Sequence, residues 1–438
     1  MSTSRRRTAA AAAVVASLSL VVTGCGAGSK TASKTATQVE CDYTAPSGET
    51  KVNVLAYNSS SVDPYTNTMV SSCTKGDVTV NHEPIDFGGQ VQKTTATLAG
   101  DKGTYDIIET YSFVIPQLAA DGKLEPLDEL VEKYSDEYGL DAINENMSEA
   151  MSYDGKLYGL PMQAQMLIMA YREDVFDKLG LEPPTTFEEM RSAAEKIQAE
   201  TDIEYPIALP LLASADIVTA YDAALGSLGM NLTDPDTMTA NLDTPESAKA
   251  LEALISLKPY MDPQVTTFDQ PAVQQQMYNG DAAMSIMFSG RMNDLTLESN
   301  SQFAQDMAFA APPSVDGGDV LYNTVSVDGW SIPANTPLDK EMLFEMIASS
   351  VSEKASKASL PAAYPARDGM VTESSMPFAA AANESISKVP PSEPYPWTAE
   401  ISNAITPIVA SVLVGKTPVE EGTQKMQAAA EKILAEYK

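Results

Sequence analysis

The run Lys51-Val-Asn-Val-Leu-Ala-Tyr57 is rich in β-formers and reads as a strand, with a polar loop from Asn58 to Asp63 behind it. A helix is expected around Tyr65–Ser72. Asp77-Val-Thr-Val80 begins a second strand, Phe87–Gly100 reads as a second helix, and Thr104–Thr110 as a third strand. Strands alternating with helices predict an α/β fold with a mostly parallel sheet. In such sheets ligands bind beyond the carboxyl ends of the strands, so a site is sought in the loops after Ala56, Ile85 and Ile108. Further along, Thr186 and Glu189 have capping-box spacing. Thr244-Pro245-Glu246 opens a helix with proline at its first position and an apolar stripe of Ala248, Leu251, Leu254 and Ile255. Thr417-Pro418-Val419 opens another, leading to Met426, Ile433 and Leu434. These stripes read as core faces, and no tandem repeat is visible.

The amino terminus has a different character. Arg5, Arg6 and Arg7 precede an alanine-rich apolar run from Thr8 to Val22, too short for a stable membrane span. The run ends in Val22-Thr23-Gly24-Cys25, which resembles a bacterial lipobox. Residues 1–24 are therefore expected to be a signal peptide and Cys25 the lipidation site. The small, polar residues 25–50 are expected to be a flexible tether. Two cysteines remain. In an exported chain Cys41 and Cys73 suggest one disulfide, with two buried free thiols as the alternative.

Composition removes several function classes. The 438 residues include 28 basic and 60 acidic side chains, a formal charge of −32. Without the three arginines of the signal it is −32 − 3 = −35. Nucleic acid is a poor partner for such a body, and an anionic membrane repels it, so the membrane link would be the lipid alone. The single histidine, His82, excludes multi-histidine metal sites. Gly415-Lys416-Thr417 imitates a phosphate loop, but Ala410 stands where that loop needs glycine. No Gly-x-Ser-x-Gly elbow occurs, and Asp234-Pro235-Asp236 lacks the rest of a calcium loop. Met162, Met166 and Met169 read as gap-filling core residues.

Six segments, in order, resemble the bacterial extracellular solute-binding proteins of ABC importers, specifically the carbohydrate-binding family 1 that includes maltose-binding proteins. They are Asp106–Ser112 with Leu118–Asp128, Asp154-Gly-Lys-Leu-Tyr-Gly-Leu-Pro161, Ala170–Phe176 with Pro183–Glu189, Tyr278–Ile286, Asp328-Gly-Trp-Ser-Ile-Pro333, and the stretch from Trp397 to Lys416. Phe288-Ser289-Gly290-Arg291 stands where the family usually carries a Gly-x-Trp.

The resemblance implies two α/β lobes hinged by strand crossovers near Leu160–Gln165, Val325–Ser331 and Tyr364–Gly369. Residues 51–163 with 330–366 would form lobe I, and 164–329 with 367–438 lobe II. It also implies a sugar, oligosaccharide or polyol held in the cleft and delivered to the permease subunits of an ABC importer with their ATPase, by a monomer that needs no cofactor and performs no catalysis. A sugar presents apolar C–H faces and a rim of hydroxyls, so its site combines aromatic platforms with carboxylates, amides and guanidinium groups. On position, the expected ligand-binding residues are Tyr57, Ser59, Phe87, Gln90, Glu109, Tyr111, Gln165, Phe288, Arg291, Asp328, Trp330, Arg367 and Trp397. The rival readings are a binder of a charged or other non-sugar solute, which two cleft arginines would favour, and a cell-envelope glycan-processing enzyme with paired carboxyl groups.

Overall fold

The computed structural model describes residues 36–438; the expected signal peptide, the expected lipidation site Cys25 and the start of the expected tether lie outside the described residues. The fold is built on one nine-stranded sheet: β1 (Thr50–Leu55), β2 (Val78–His82), β3 (Ile107–Tyr111), β4 (Leu160–Arg172), β5 (Ile207–Ala208), β6 (Met284–Phe288), β7 (Met307–Ala310), β8 (Val325–Ser331) and β9 (Tyr364–Pro365). Its order is β2-β1-β3-β8-β4-β6-β5, with β7 and β9 also paired to β4.

β1 runs parallel to β2 and β3, as the alternation of strands and helices predicts. The strands brought in from distant sequence run the other way. β8 is antiparallel to both β3 and β4, β9 to β4, and β6 and β7 to the far half of β4. A chain that crosses between two lobes and returns must reverse, so the sheet is mixed wherever the crossovers lie.

β4 holds the two lobes together. Residues Leu160–Met166 pair with β8, and Leu167–Arg172 pair with β6 and β7. Thirteen residues at roughly 3.3 Å each carry the strand about 43 Å, long enough to serve both lobes. It is buried along nearly its whole length, and Met162, Met166 and Met169 pack as core. One apolar cluster fills the first lobe and follows one face of β4; a second fills the other face beyond Leu167.

Helix α1 (Asp63–Cys73) follows β1, and α2 (Phe87–Ala99) follows β2, capped by Asp86, whose Oδ1 accepts from Gly89 N at 2.7 Å. Residues 37–43, in the part of the expected tether that is described, are docked on α1. Thr37 N donates to Thr68 Oγ1 and Val39 N to Ser72 Oγ, both at 3.1 Å, and Tyr43 Oη donates to Cys73 O at 2.8 Å. A Cys41–Cys73 disulfide, Cα atoms 5.3 Å apart, closes the same contact. The polar side chains of α1 thus take up the segment's backbone amides, which composition alone did not indicate. A crosslink across 32 residues is worth roughly 3–4 kcal/mol in the loop-entropy account.

The helix caps vary the expected signals. Thr186 caps the helix Phe187–Glu200 by accepting from Glu189 N at 3.1 Å, while Glu189 reaches back to Thr185 rather than Thr186. Thr244 accepts from Ser247 N at 3.1 Å at the start of Pro245–Leu257. Thr417 caps nothing; its hydroxyl pairs with Ser411 Oγ.

Candidate functional site

The loop after β1 is a tight polar knot. Asp63 Oδ1 accepts from Ser59 N and Asn58 Nδ2, and Ser59 Oγ accepts from Val62 N at 3.2 Å. The Ser59 hydroxyl is therefore engaged within the loop, where it shapes the turn. The knot holds Tyr57 at the carboxyl end of β1, and Tyr57 N donates to Glu109 Oε2 of β3 at 3.0 Å. Gln90 of α2 joins the next strand: its Nε2 donates to Glu109 O at 2.9 Å and its Oε1 accepts from Tyr111 Oη at 3.3 Å.

Four aromatic rings gather on this frame. Tyr57 meets Phe87 edge-on at 5.6 Å, and Phe87 lies 5.4 Å from Tyr111. Phe113 stacks on Tyr111 at 5.4 Å with planes 7° apart. Tyr57 and Tyr111 are buried, whereas Phe87 and Phe113 are 41% and 51% exposed, so the group runs from the interior to the surface. Phe113 was not singled out from the sequence; its place two residues past Tyr111 in the loop after the third strand is the signal that could have found it.

The crossovers bring polar groups to the same place. Ser326 pairs with Gln165 and Asp328 with Gln163 across β8 and β4, which sets all four on one face. Asp328 Oδ2 accepts from Gln165 Nε2 at 2.5 Å and Gln163 Nε2 at 3.1 Å, and Oδ1 accepts from Ser326 Oγ at 2.9 Å. Gln165 Nε2 also reaches Tyr57 Oη at 3.0 Å. Gln163 was missed in the sequence because only the register of β4 against β8 shows which crossover residues face inward.

From the second lobe, Phe288 N donates to Gln270 Oε1 at 3.1 Å, while Gln274 Nε2 holds Arg291 O at 2.9 Å. Arg291 Nη1 is buried without a hydrogen-bond partner, as are Glu109 Oε1 and Gln163 Oε1. Among the described residues, no group of three or more His, Cys, Asp or Glu side chains could hold a metal ion.

Two expected site residues are corrected. Trp330 is fully buried in the first lobe's core. β8 enters at the cleft and runs inward, antiparallel to β3, so Asp328 pairs with Tyr111 at the rim and Trp330 with Glu109 one step deeper. Arg367 faces away from the cleft. Its Nε, Nη1 and Nη2 donate to Val351 O, Gly139 O and Tyr138 O at 2.6–2.7 Å. The last two carbonyls close the helix Asp128–Tyr138, where a guanidinium satisfies orphan acceptors. This contact also fixes Arg367 to the first lobe rather than the second. Trp397 is separate from the aromatic group around Tyr57. It stacks on Tyr395 at 4.9 Å, and its Nε1 donates to Thr233 Oγ1 at 3.2 Å.

Burial dominates the electrostatics. It raises the Asp328 carboxyl to about 6 against the hydrogen bonds from Gln165, Ser326 and Gln163. It raises Glu109 well above the ordinary range, and Asp328 nearby adds to the shift. Burial also lifts Asp216, beside Gln270, to about 6. For Asp328 and Asp216 the folded pKa lies above the unfolded value, so their stabilising contribution is complete at low pH and is lost as pH rises through about 6. Thermal unfolding between pH 8 and pH 5 is expected to show the melting temperature rising toward pH 5. In Asp328→Asn that slope is shallower, and an unchanged slope would assign it to other groups.

The model of the bacterial extracellular solute-binding protein family matches residues 72–355. A putative binding protein of Brucella abortus (strain 2308) is 30% identical over 251 residues, 55% of this chain and 58% of that protein. The maltotriose-binding protein of Pyrococcus abyssi is 30% identical over 173 residues, 39% of this chain and 35% of that one. The chain thus spans little more than half the length of the curated relatives it matches. Among solved structures, an ABC transporter solute-binding protein from Agrobacterium radiobacter K84 in complex with ribitol superposes with a TM-score of 0.79 at 21% identity, over 89% of this chain and all of that one. Maltose-bound MalE3 of T. maritima gives 0.78 at 17% identity over the same shares. At these identities the likeness is one of fold.

Proposed function

The chain belongs to the bacterial extracellular solute-binding proteins, and on that premise we propose that it binds a neutral polyhydroxylated solute, a sugar, oligosaccharide or polyol, in the cleft between its lobes. The observation that carries this reading is the meeting of three aromatic rings, Tyr57, Phe87 and Tyr111, with the Gln163–Gln165–Asp328 network at the carboxyl ends of the strands. Rings match the apolar faces of a sugar, and amides and carboxyls its hydroxyls. The ribitol and maltose in the two similar structures support the same class. Delivery to an ABC permease and anchoring through a lipid on Cys25 belong to the same reading. Among the described residues no helix is long and apolar enough to cross a membrane.

A charged solute is less well supported once Arg367 is committed to backbone carbonyls, which leaves Arg291 as the one guanidinium among the expected site residues. An enzymatic reading is also less well supported. Glu109 and Asp328 stand on the neighbouring strands β3 and β8, rather than on opposite walls of the cleft, and both accept hydrogen bonds from the protein. The test is a thermal-shift panel of ribitol, mannitol, maltose, maltotriose and amino acids on residues 26–438. Ligand binding to the native state raises the melting temperature according to RT ln(1 + [L]/Kd). A shift of a few degrees with a carbohydrate or polyol is expected; a shift with amino acids alone overturns the reading.

A further inference from the structure

The loop after β1 touches the second lobe directly. Ser60 Oγ donates to the carboxyl of Asp294, with Oδ1 at 2.7 Å and Oδ2 at 2.6 Å, and both residues are buried. Asp294 lies in the short helix Met292–Leu295, which follows β6 and the Ser289–Arg291 turn. In that turn, Gly290 approaches the first-lobe loop and the crossover strand β4 so closely that a Cβ built on it would stand 2.7 Å from Ser61 Oγ and 2.8 Å from Gln165 Oε1. Only glycine fits such an approach without displacing its neighbours. The surfaces it meets are braced. Asp63 and Val62 knot the Ser59–Ser61 loop, and Tyr57 and Asp328 hold Gln165.

We propose that Ser60, Gly290 and Asp294 form a closure latch, which sets the affinity for the solute without touching it. The latch rests on the reading of the cleft as closing around a ligand. Ser60 and Asp294 are 234 residues apart and sit on opposite walls, so their bond exists only while the lobes are together. A bond present in the closed state alone favours closure by the same factor whatever solute is inside. Asp294 is thus a positioning residue. The glycine fixes how near the walls come, and the serine–carboxyl bond fixes how long they stay.

The experiment measures equilibrium affinity and dissociation rate for ribitol, mannitol, maltose and maltotriose in the wild type, Ser60→Ala, Asp294→Ala and Asp294→Asn. Loss of a hydrogen bond to a carboxyl group gives about a tenfold loss of affinity. The loss is expected to be equal for every probe that binds the wild type, to appear in the dissociation rate, and to be mostly restored in Asp294→Asn, which keeps an acceptor oxygen. A direct ligand contact would instead change the ratio between probes, and unequal losses or no loss would overturn the latch. A second variant, Ser60→Cys/Asp294→Cys, needs no ligand. Oxidised in buffer and mapped by peptide mass spectrometry, it is expected to show a 60–294 crosslink. Absence of that crosslink both in buffer and with a probe bound overturns the latch. A crosslink with no probe bound by the wild type upholds the contact while the solute reading fails for this panel.

Discussion

Asp328→Ala is expected to lower the affinity for the bound solute by about 100-fold, roughly 2.7 kcal/mol, in titration calorimetry with whichever panel compound binds the wild type. The Asp328 carboxyl is the acceptor at which Gln163, Gln165 and Ser326 converge, and Gln165 in turn reaches the Tyr57 hydroxyl. Alanine removes an acceptor that the hydroxyls of the proposed solute would use, and it leaves two glutamine amides without the group that orients them. A buried donor left unsatisfied costs about 1–3 kcal/mol, so the pre-organised wall relaxes and the ligand must order it again. The fold is expected to survive, because alanine also removes an acid that is costly to ionise where it sits. Affinity retained within threefold would place the solute elsewhere.

Trp330→Ala, two residues along the same strand, is expected to do the opposite. The indole is fully buried in the first lobe's core. Its removal is expected to cost about 4 kcal/mol of stability, within the range for large aromatic residues truncated in cores. Denaturant unfolding measures the loss as a shifted midpoint, and the fraction still folded is expected to bind the solute with unchanged affinity. Trp330→Phe separates volume from chemistry. The Nε1–H is buried without a partner, so phenylalanine removes an unsatisfied donor along with part of the ring and is expected to cost much less. A weakened affinity in folded Trp330→Phe would return the residue to the site.

These two residues mark the limit of sequence reading. Both lie in the segment Asp328–Pro333 that carries the family resemblance, and both are of types that contact sugars. Their separation depends on β8 running inward from the cleft, antiparallel to β3. Arg367 repeats the point: a guanidinium near a crossover invites a ligand role, but the carbonyls ending the helix at Tyr138 and Gly139, over 200 positions away, claim it. Gln163 was missed for the converse reason, since nothing local distinguishes a glutamine that faces the cleft from one that packs behind it, whereas Phe113 could have been found from its place in the loop after β3.

The sequence by itself determined the early strands and the helices between them, because local apolar patterning and turn chemistry specify such elements over a few residues. It pointed to the cysteine pair, to the ends of β1, β2 and β3 as the place to look, and to Tyr57, Tyr111, Gln165 and Asp328, all of which meet there. The tertiary structure decided the rest. The direction of the crossover strands, the docking of residues 37–43 on α1, the burial of Trp330 and the contact of Ser60 with Asp294 all depend on groups far apart in the chain. Register and burial are set by long-range pairing. A residue's type fixes what it can bond, and only the partner brought to it by the fold decides what it does.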